Sequence, residues 1–318
     1  MNNSVSILKA VVDNVGNVIV GKRKATELAL ISLICNGHVL IEDVPGVGKT
    51  SLISSLAKSI SASFKRIQFT PDILPSDITG FSMFNQKTGE FEYRPGSVMS
   101  QFVLADEINR TSPKTQASLL EVMEENQVTV DGVTHKVPKP FMVLATQNPV
   151  EYLGTFPLPE AQLDRFFIKI SMGYPTTGEE SYLLSRFRQD NPMSALKPVA
   201  TGDDIISIQE EIKSVHVDKS LNDYIVDIVA HTRKHNDIVL GSSPRGSISL
   251  FRASQAWAFY SGRNYVIPED VKKMVVPVLS HRVILKQEAK LKKITSSDII
   301  ESIVDKIKVP VVDYDEKK

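Results

Sequence analysis

Apolar residues in this chain follow two spacings in turn. Up to about residue 175, short apolar runs alternate with amphipathic stretches; beyond residue 202 only the helical spacing remains. Val39-Leu40-Ile41, Phe64 to Phe69, Phe102 to Ala105, Phe141 to Ala145 and Phe167 to Ser171 predict five buried strands. Helices are predicted over 4–14 and 22–36, from Ser51 with Leu52, Ile53, Leu56 and Ala57 on one face, and over 178–190. Another starts after Thr111-Ser112-Pro113, a capping hydroxyl with Pro in the first turn, and runs to Glu125. Two hairpins interrupt the alternation: Met83 to Tyr93, turning at Lys87-Thr88-Gly89, and residues 127–137, turning at Asp131-Gly132. Thr70 to Gly80 is too rich in Pro and Asp for a long element. Asn191 to Thr201, with Pro192 and Pro198, predicts a linker, followed by helices near 203–213, 218–235, 244–262, 268–281 and 296–306. The pattern predicts an α/β core with a parallel sheet, followed by an all-α C-terminal domain, divided as 1–192 and 193–318.

Composition narrows the class. The 318 residues carry 37 Lys plus Arg and 37 Asp plus Glu, so the formal net charge is zero. Proteins that live on duplex DNA usually carry a basic excess, and nucleic acid is therefore not an expected partner. Cys35 is the single cysteine, which rules out an internal disulfide and fits a reducing compartment. The opening Met1-Asn2-Asn3-Ser4-Val5-Ser6 does not resemble a signal peptide. No run reaches membrane-spanning length; the best, Ala25 to Cys35, is broken by Thr26, Glu27 and Ser32. A cytoplasmic protein is expected.

The chemistry concentrates where the first strand turns into its helix. Gly46 and Gly48 allow the backbone to approach an anion, Lys49 can reach terminal phosphates, and Thr50 offers a hydroxyl to Mg²⁺. The strict phosphate-loop pattern has Gly where Asp43 stands. Asp106-Glu107, at the end of another strand, suits a metal-holding carboxylate followed by a base for water. Asn148, after a further strand, could orient that water.

Together these stretches resemble an AAA+ ATPase, a P-loop NTPase, and more narrowly its MoxR family. The resemblance covers nearly the whole chain and rests on six segments in the family's order. Leu40 to Thr50 looks like the family's Walker A, in which Asp43 is ordinary, and Ala105-Asp106-Glu107-Ile108-Asn109-Arg110 like its Walker B. Ala145 to Pro149 looks like sensor 1, and Leu158 to Phe166 like the arginine-finger segment. Ser243-Pro244-Arg245-Gly246 resembles sensor 2, and Pro277 to Arg282 the late helical signature.

The resemblance implies ATP and Mg²⁺ as cofactors. It implies nucleotide contacts from Val20 and Gly21 beside the adenine and from Pro45, Gly46, Val47, Gly48, Lys49, Thr50 and Ser51. Thr50 and Asp106 would hold Mg²⁺, and Glu107, Asn148, Arg165 and Arg245 would form the catalytic set. Arg165 would enter a neighbouring subunit's site, with Arg110 as its rival, and Arg245 would bring the lid to the γ-phosphate. His281 and Arg282 read as structural. Residues 70–98 would be an insert in the second helix and 127–137 the hairpin before sensor 1, both on surfaces that engage partners. The implied protein is a homo-oligomeric, hexameric ring. Its ATP hydrolysis would remodel or activate client proteins, among them metalloenzymes and von Willebrand factor A-like partners, in chaperone-like metal or cofactor insertion or complex maturation.

Two other readings share features with this one. A magnesium-chelatase-type subunit or a DNA-associated motor has the same insert-bearing architecture, and neutral charge argues against the motor. A GTPase switch would need an Asn-Lys-x-Asp guanine signature, which the chain lacks.

Overall fold

The computed structural model describes residues 1–148, 154–186 and 192–311. Two helices, α1 (Asn2–Gly16) and α2 (Arg23–Ile34), precede β1 (Val39–Glu42). Then follow α3 (Lys49–Ser59), β2 (Phe64–Gln68), α4 (Pro75–Thr79) and a hairpin of β3 (Gly80–Asn85) and β4 (Glu90–Pro95). Next come β5 (Phe102–Asp106), α5 (Pro113–Glu125) and the hairpin β6 (Gln127–Val130) with β7 (Val133–Lys136). The core closes with β8 (Met142–Gln147), α6 (Glu160–Leu163) and β9 (Ile168–Ile170).

The five predicted strands form one parallel sheet in the order β2-β5-β8-β1-β9. Successive side chains of a strand face opposite ways, so a strand covered on both faces reads as an unbroken apolar run. That is why Val39 and Ile41 join one apolar cluster, with α1, α2 and α3, while Leu40 joins the other, with α5. Each strand ends at the same sheet edge, where β1 releases the loop into α3, β5 releases Asp106-Glu107, and β8 releases Asn148.

After the sheet, α7 (Thr177–Arg186) and α8 (Pro192–Ala195) lead to α9 (Gly202–Glu211), α10 (Lys219–Lys234), β10 (Ile238–Leu240) and α11 (Pro244–Tyr260). The chain continues through α12 (Pro268–Leu279), β11 (Ile284–Leu285), α13 (Gln287–Leu291) and α14 (Ser296–Lys306). Helix α10 shows why the spacing is legible: Leu221, Tyr224, Ile225, Ile228, Val229 and Thr232 are buried along one stripe. The lid is helical with one addition, an antiparallel ribbon of β10 and β11 that short apolar pairs far apart in sequence did not reveal. Of the expected linker, Asn191 lies outside the described residues. The rest is pinned down, for Val199 and Ala200 donate their N–H groups to Ser59 and Lys197 accepts from Asn14.

The two expected hairpins are present. In the second, Asp131 and Gly132 both take positive φ, +49° and +81°, the geometry that makes Asp-Gly a strong hairpin turn. Among the described residues no helix is long and apolar enough to cross a membrane.

Candidate active site

The loop after β1 is shaped by two glycines in the left-handed region, Gly46 at φ +84° and Gly48 at φ +92°. At Gly48 an added Cβ would meet nothing closer than Ile19 at 3.9 Å, so the backbone conformation, not space, demands glycine. Lys49 starts α3 and donates from Nζ to the carbonyl oxygen of Asp43 at 2.7 Å. Burial draws its ammonium below the ordinary lysine value, and the charges of Asp43, Asp106 and Glu107 oppose that. Loop lysine and strand-end acids therefore share one site.

Asp43, the departure from the strict loop pattern, has a clear task. Its carboxylate accepts from the N–H groups of Val44 (2.9 Å), Met172 (2.6 Å) and Gly173 (2.7 Å) and from Ser171 Oγ (3.2 Å). Burial works to raise its pKa, but these donors together outweigh it and hold it below the usual carboxylate range. From the other side, the buried Lys22 donates to the carbonyls of Met172 (2.8 Å) and Tyr174 (3.0 Å). The turn after β9 is thus clasped between the phosphate loop and the start of α2.

Beside the loop lies a cavity of about 280 Å³, lined by Val18, Ile19, Val20, Gly46, Val47, Gly48 and Ser51, and also by Lys22, Pro175, Leu183 and Met193. Its apolar walls suit the flat face of a nucleobase. Gly21 takes positive φ, +73°, and lies beside the Glu179 carboxylate of α7.

Asp106 and Glu107 stand at the end of β5 in a dense polar network. Thr146 Oγ1 donates to Asp106 Oδ1 at 2.6 Å and accepts from the Glu107 N–H at 2.8 Å. Arg66 of β2 pairs with the other oxygen, Asp106 Oδ2, at 2.6 Å, and also donates to Gln68, which donates in turn to Glu107 Oε2 at 3.1 Å. Arg110 pairs with the same Glu107 oxygen at 3.0 Å, so the rival finger candidate is engaged within its own Walker B turn. Glu107 has left-handed backbone, φ +58° and ψ +50°, uncommon for a residue with a Cβ. Asn148 follows β8 and is buried.

Thr50, on the first turn of α3, and Asp106 offer a hydroxyl and a carboxylate, the hard oxygens that Mg²⁺ prefers. Among the described residues no three or more His, Cys, Asp or Glu side chains form a metal cage. That sparse donor set fits Mg²⁺, which takes its remaining ligands from phosphates and water.

Arg165 and Arg245 do not join this group. Arg245 NH2 pairs with Glu124 Oε1 at 2.5 Å and Arg165 NH2 with Glu124 Oε2 at 3.2 Å. Glu124 lies in the last turn of α5 next to Met123, whose carbonyl bonds to His38, the residue before β1. The arginines therefore stand at the opposite sheet edge from the phosphate loop, separated by the length of β1, about 13 Å at ~3.3 Å per residue. The lid contact expected of Arg245 is not made with its own loop. Instead Arg282 locks the lid to the finger segment. It pairs with Asp164 at 2.9 Å and donates to the carbonyls of Phe166, Phe167 and Val278. Burial pulls its pKa down to about 10, against the raising effect of Asp164. His281 adds a bond to the Phe166 carbonyl at 2.9 Å.

The model of the ATPase family associated with various cellular activities (AAA) matches residues 38–168, and that of the AAA lid domain matches residues 230–303. Chaperone MoxR1 of Mycobacterium tuberculosis is 40% identical over 317 residues, covering 97% of this chain and 84% of its own. This chain belongs to the MoxR family of AAA+ ATPases. The uncharacterized protein YeaC of Bacillus subtilis is 54% identical over 305 residues, 96% of this chain and 95% of its own. A crystal structure of a provisionally assigned ATPase from Cytophaga hutchinsonii superposes with a TM-score of 0.91 at 41% identity, covering 98% and 97% of the two chains.

Several site residues of this MoxR protein carry no sequence signal of their own. Thr146 sits inside an apolar strand run, and Arg66 and Gln68 alternate along an edge strand, so each reads as ordinary strand composition. Glu124 reads as helix surface. Phe81, Met83, Phe84 and Phe91 are exposed on the β3–β4 hairpin. Its Tyr93 stacks on His135 of β7 with ring centroids 3.9 Å apart, which ties the two hairpins together.

Proposed function

We propose that this MoxR protein hydrolyses ATP to ADP and phosphate at sites shared between subunits of a homo-oligomeric ring, a hexamer. The cycle remodels or activates client proteins, including partners with von Willebrand factor A-like domains. Residues 1–192 act as the nucleotide-binding core and 193–318 as the lid. The chaperone named among its relatives supports a protein client, as do the exposed aromatic residues of the insert hairpin.

In this reading Lys49 and the loop N–H groups hold the phosphates, Glu107 takes a proton from the attacking water, and Asn148 orients that water. Thr50 and Asp106 would hold Mg²⁺, which would supply charge neutralisation on the phosphates. Positive charge is then lacking on the far side of the transferring phosphoryl group. The observation that carries the proposal is the pairing of Arg165 and Arg245 at the edge remote from their own loop. From there a head-to-tail neighbour's phosphates are the ones within reach, and a repeated head-to-tail contact closes into a ring.

The test mixes Arg165→Ala with Lys49→Ala, each nearly inactive alone. Random co-assembly makes roughly a quarter of interfaces fully wild-type, so turnover should reappear. A mixture that stays inactive while the subunits demonstrably co-assemble overturns the shared site. Clients are then sought by capture on Glu107→Gln subunits held in ATP.

A further inference from the structure

Two acids of opposite duty stand side by side at the end of β5, and one buried hydroxyl touches both. We infer that Thr146 is the positioning residue that sets Asp106 and Glu107 for the hydrolytic reaction, an inference that rests on the ATPase reading above. Thr146 is fully buried at the end of β8. A hydroxyl has one hydrogen and two lone pairs. The hydrogen goes to Asp106 Oδ1 at 2.6 Å, which leaves a lone pair for the Glu107 N–H at 2.8 Å.

Each bond has a separate consequence. The first fixes the rotation of the Asp106 carboxylate, so that Oδ2 is the oxygen turned toward Arg66. The second anchors the peptide of Glu107 in its left-handed conformation, φ +58°, which sterics disfavour for any residue with a Cβ. That backbone geometry aims the Glu107 side chain at Gln68 and Arg110, not along the strand. Since Thr146 lies two residues before Asn148, the β8 register also places the water-orienting amide relative to both acids. Valine has the same shape without the hydroxyl. It would leave the Glu107 N–H unpaired and the Asp106 carboxylate held by Arg66 alone.

The experiment compares wild type, Thr146→Val and Thr146→Ser. Removal of a group that orients a metal-holding carboxylate typically costs about 10–100-fold in metal affinity or activity. Thr146→Val should lower kcat by about that factor with KM for ATP little changed. It should also weaken Mn²⁺ binding to the ADP complex, read by electron paramagnetic resonance without turnover, by about tenfold. Thr146→Ser, which keeps the hydroxyl, should return both readouts to within a few fold of wild type. Wild-type kcat and Mn²⁺ affinity in Thr146→Val would overturn the inference, and so would a Thr146→Ser protein as impaired as Thr146→Val. If Thr146→Val does not fold, Thr146→Ser is compared with Thr146→Cys, whose sulfur bonds weakly. Equal values in that pair overturn the assignment, and a serine advantage upholds it. A wild-type protein without ATP turnover would instead defeat the functional reading, while the Mn²⁺ comparison still decides the role of Thr146.

Discussion

Arg245 meets Glu124 at 2.5 Å, although the two residues are 121 positions apart and belong to lid and core. Arg165 takes the other oxygen of the same carboxylate. The pairing is half-exposed, and such pairs contribute only ~0–1 kcal/mol. Its interest is arrangement: one acid gathers two cations at the sheet edge away from the phosphate loop. Glu124→Gln should therefore shift the urea-unfolding free energy by no more than about 1 kcal/mol. It should keep turnover within several fold, whereas Arg165→Ala should lose ~10³–10⁵. A loss in Glu124→Gln as large as in Arg165→Ala would make the carboxylate itself part of the chemistry.

Lys49 and Glu107 separate binding from turnover. Lys49→Ala should weaken ATP binding, because the cation that answers the phosphates is gone. Glu107→Gln should bind ATP normally and lose ~10²–10⁴ in rate, because only the base is removed. Equilibrium titration with a fluorescent ATP analogue, set beside phosphate-release rates, distinguishes the two. Equal loss of affinity in both variants, or preference for GTP, contradicts the assignment.

His38 makes stability depend on pH in a defined window. Its Nδ1 accepts from the Val143 N–H at 3.0 Å, so the ring proton sits on Nε2 and is donated to the Met123 carbonyl at 2.9 Å. Burial pushes its pKa down to about 4, against a smaller raising effect of the Met123 carbonyl. The unfolded chain takes up the proton near pH 6.5 and the folded chain resists it until about 4. Stability should be level above pH 6.5 and fall by an amount on the order of 3 kcal/mol as pH drops to 4. His281, also held neutral by burial, pushes the same way. Urea midpoints measured from pH 7.5 to 4 should show the decline, with a shallower slope in His38→Gln. A flat wild-type profile across this range refutes the linkage.

Most of the scaffold was open to reading from the chain alone, and the reason is local. A strand buried on both faces must be apolar throughout, so Val39-Leu40-Ile41 and Phe102 to Ala105 announce themselves. Asp131-Gly132 accepts the positive φ of its turn, and Ser112 caps α5 by accepting from the Thr115 N–H. The phosphate loop is legible for the same reason: its glycines, lysine and threonine are contiguous, and contiguity survives without coordinates.

Tertiary structure decided what depends on residues distant in sequence meeting. Asp43 departs from the strict loop pattern, and only the turn after β9, more than 120 residues later, shows that its carboxylate clamps that turn. Sequence order could nominate Arg165 and Arg245 separately. Folding brought both to Glu124 at one sheet edge, because parallel strands place loops and helix ends at opposite edges. Thr146 is the sharpest case. Along the chain it is a β-branched residue in a strand, and its hydroxyl acquires a role when β5 lies beside β8 and brings Asp106 within 2.6 Å.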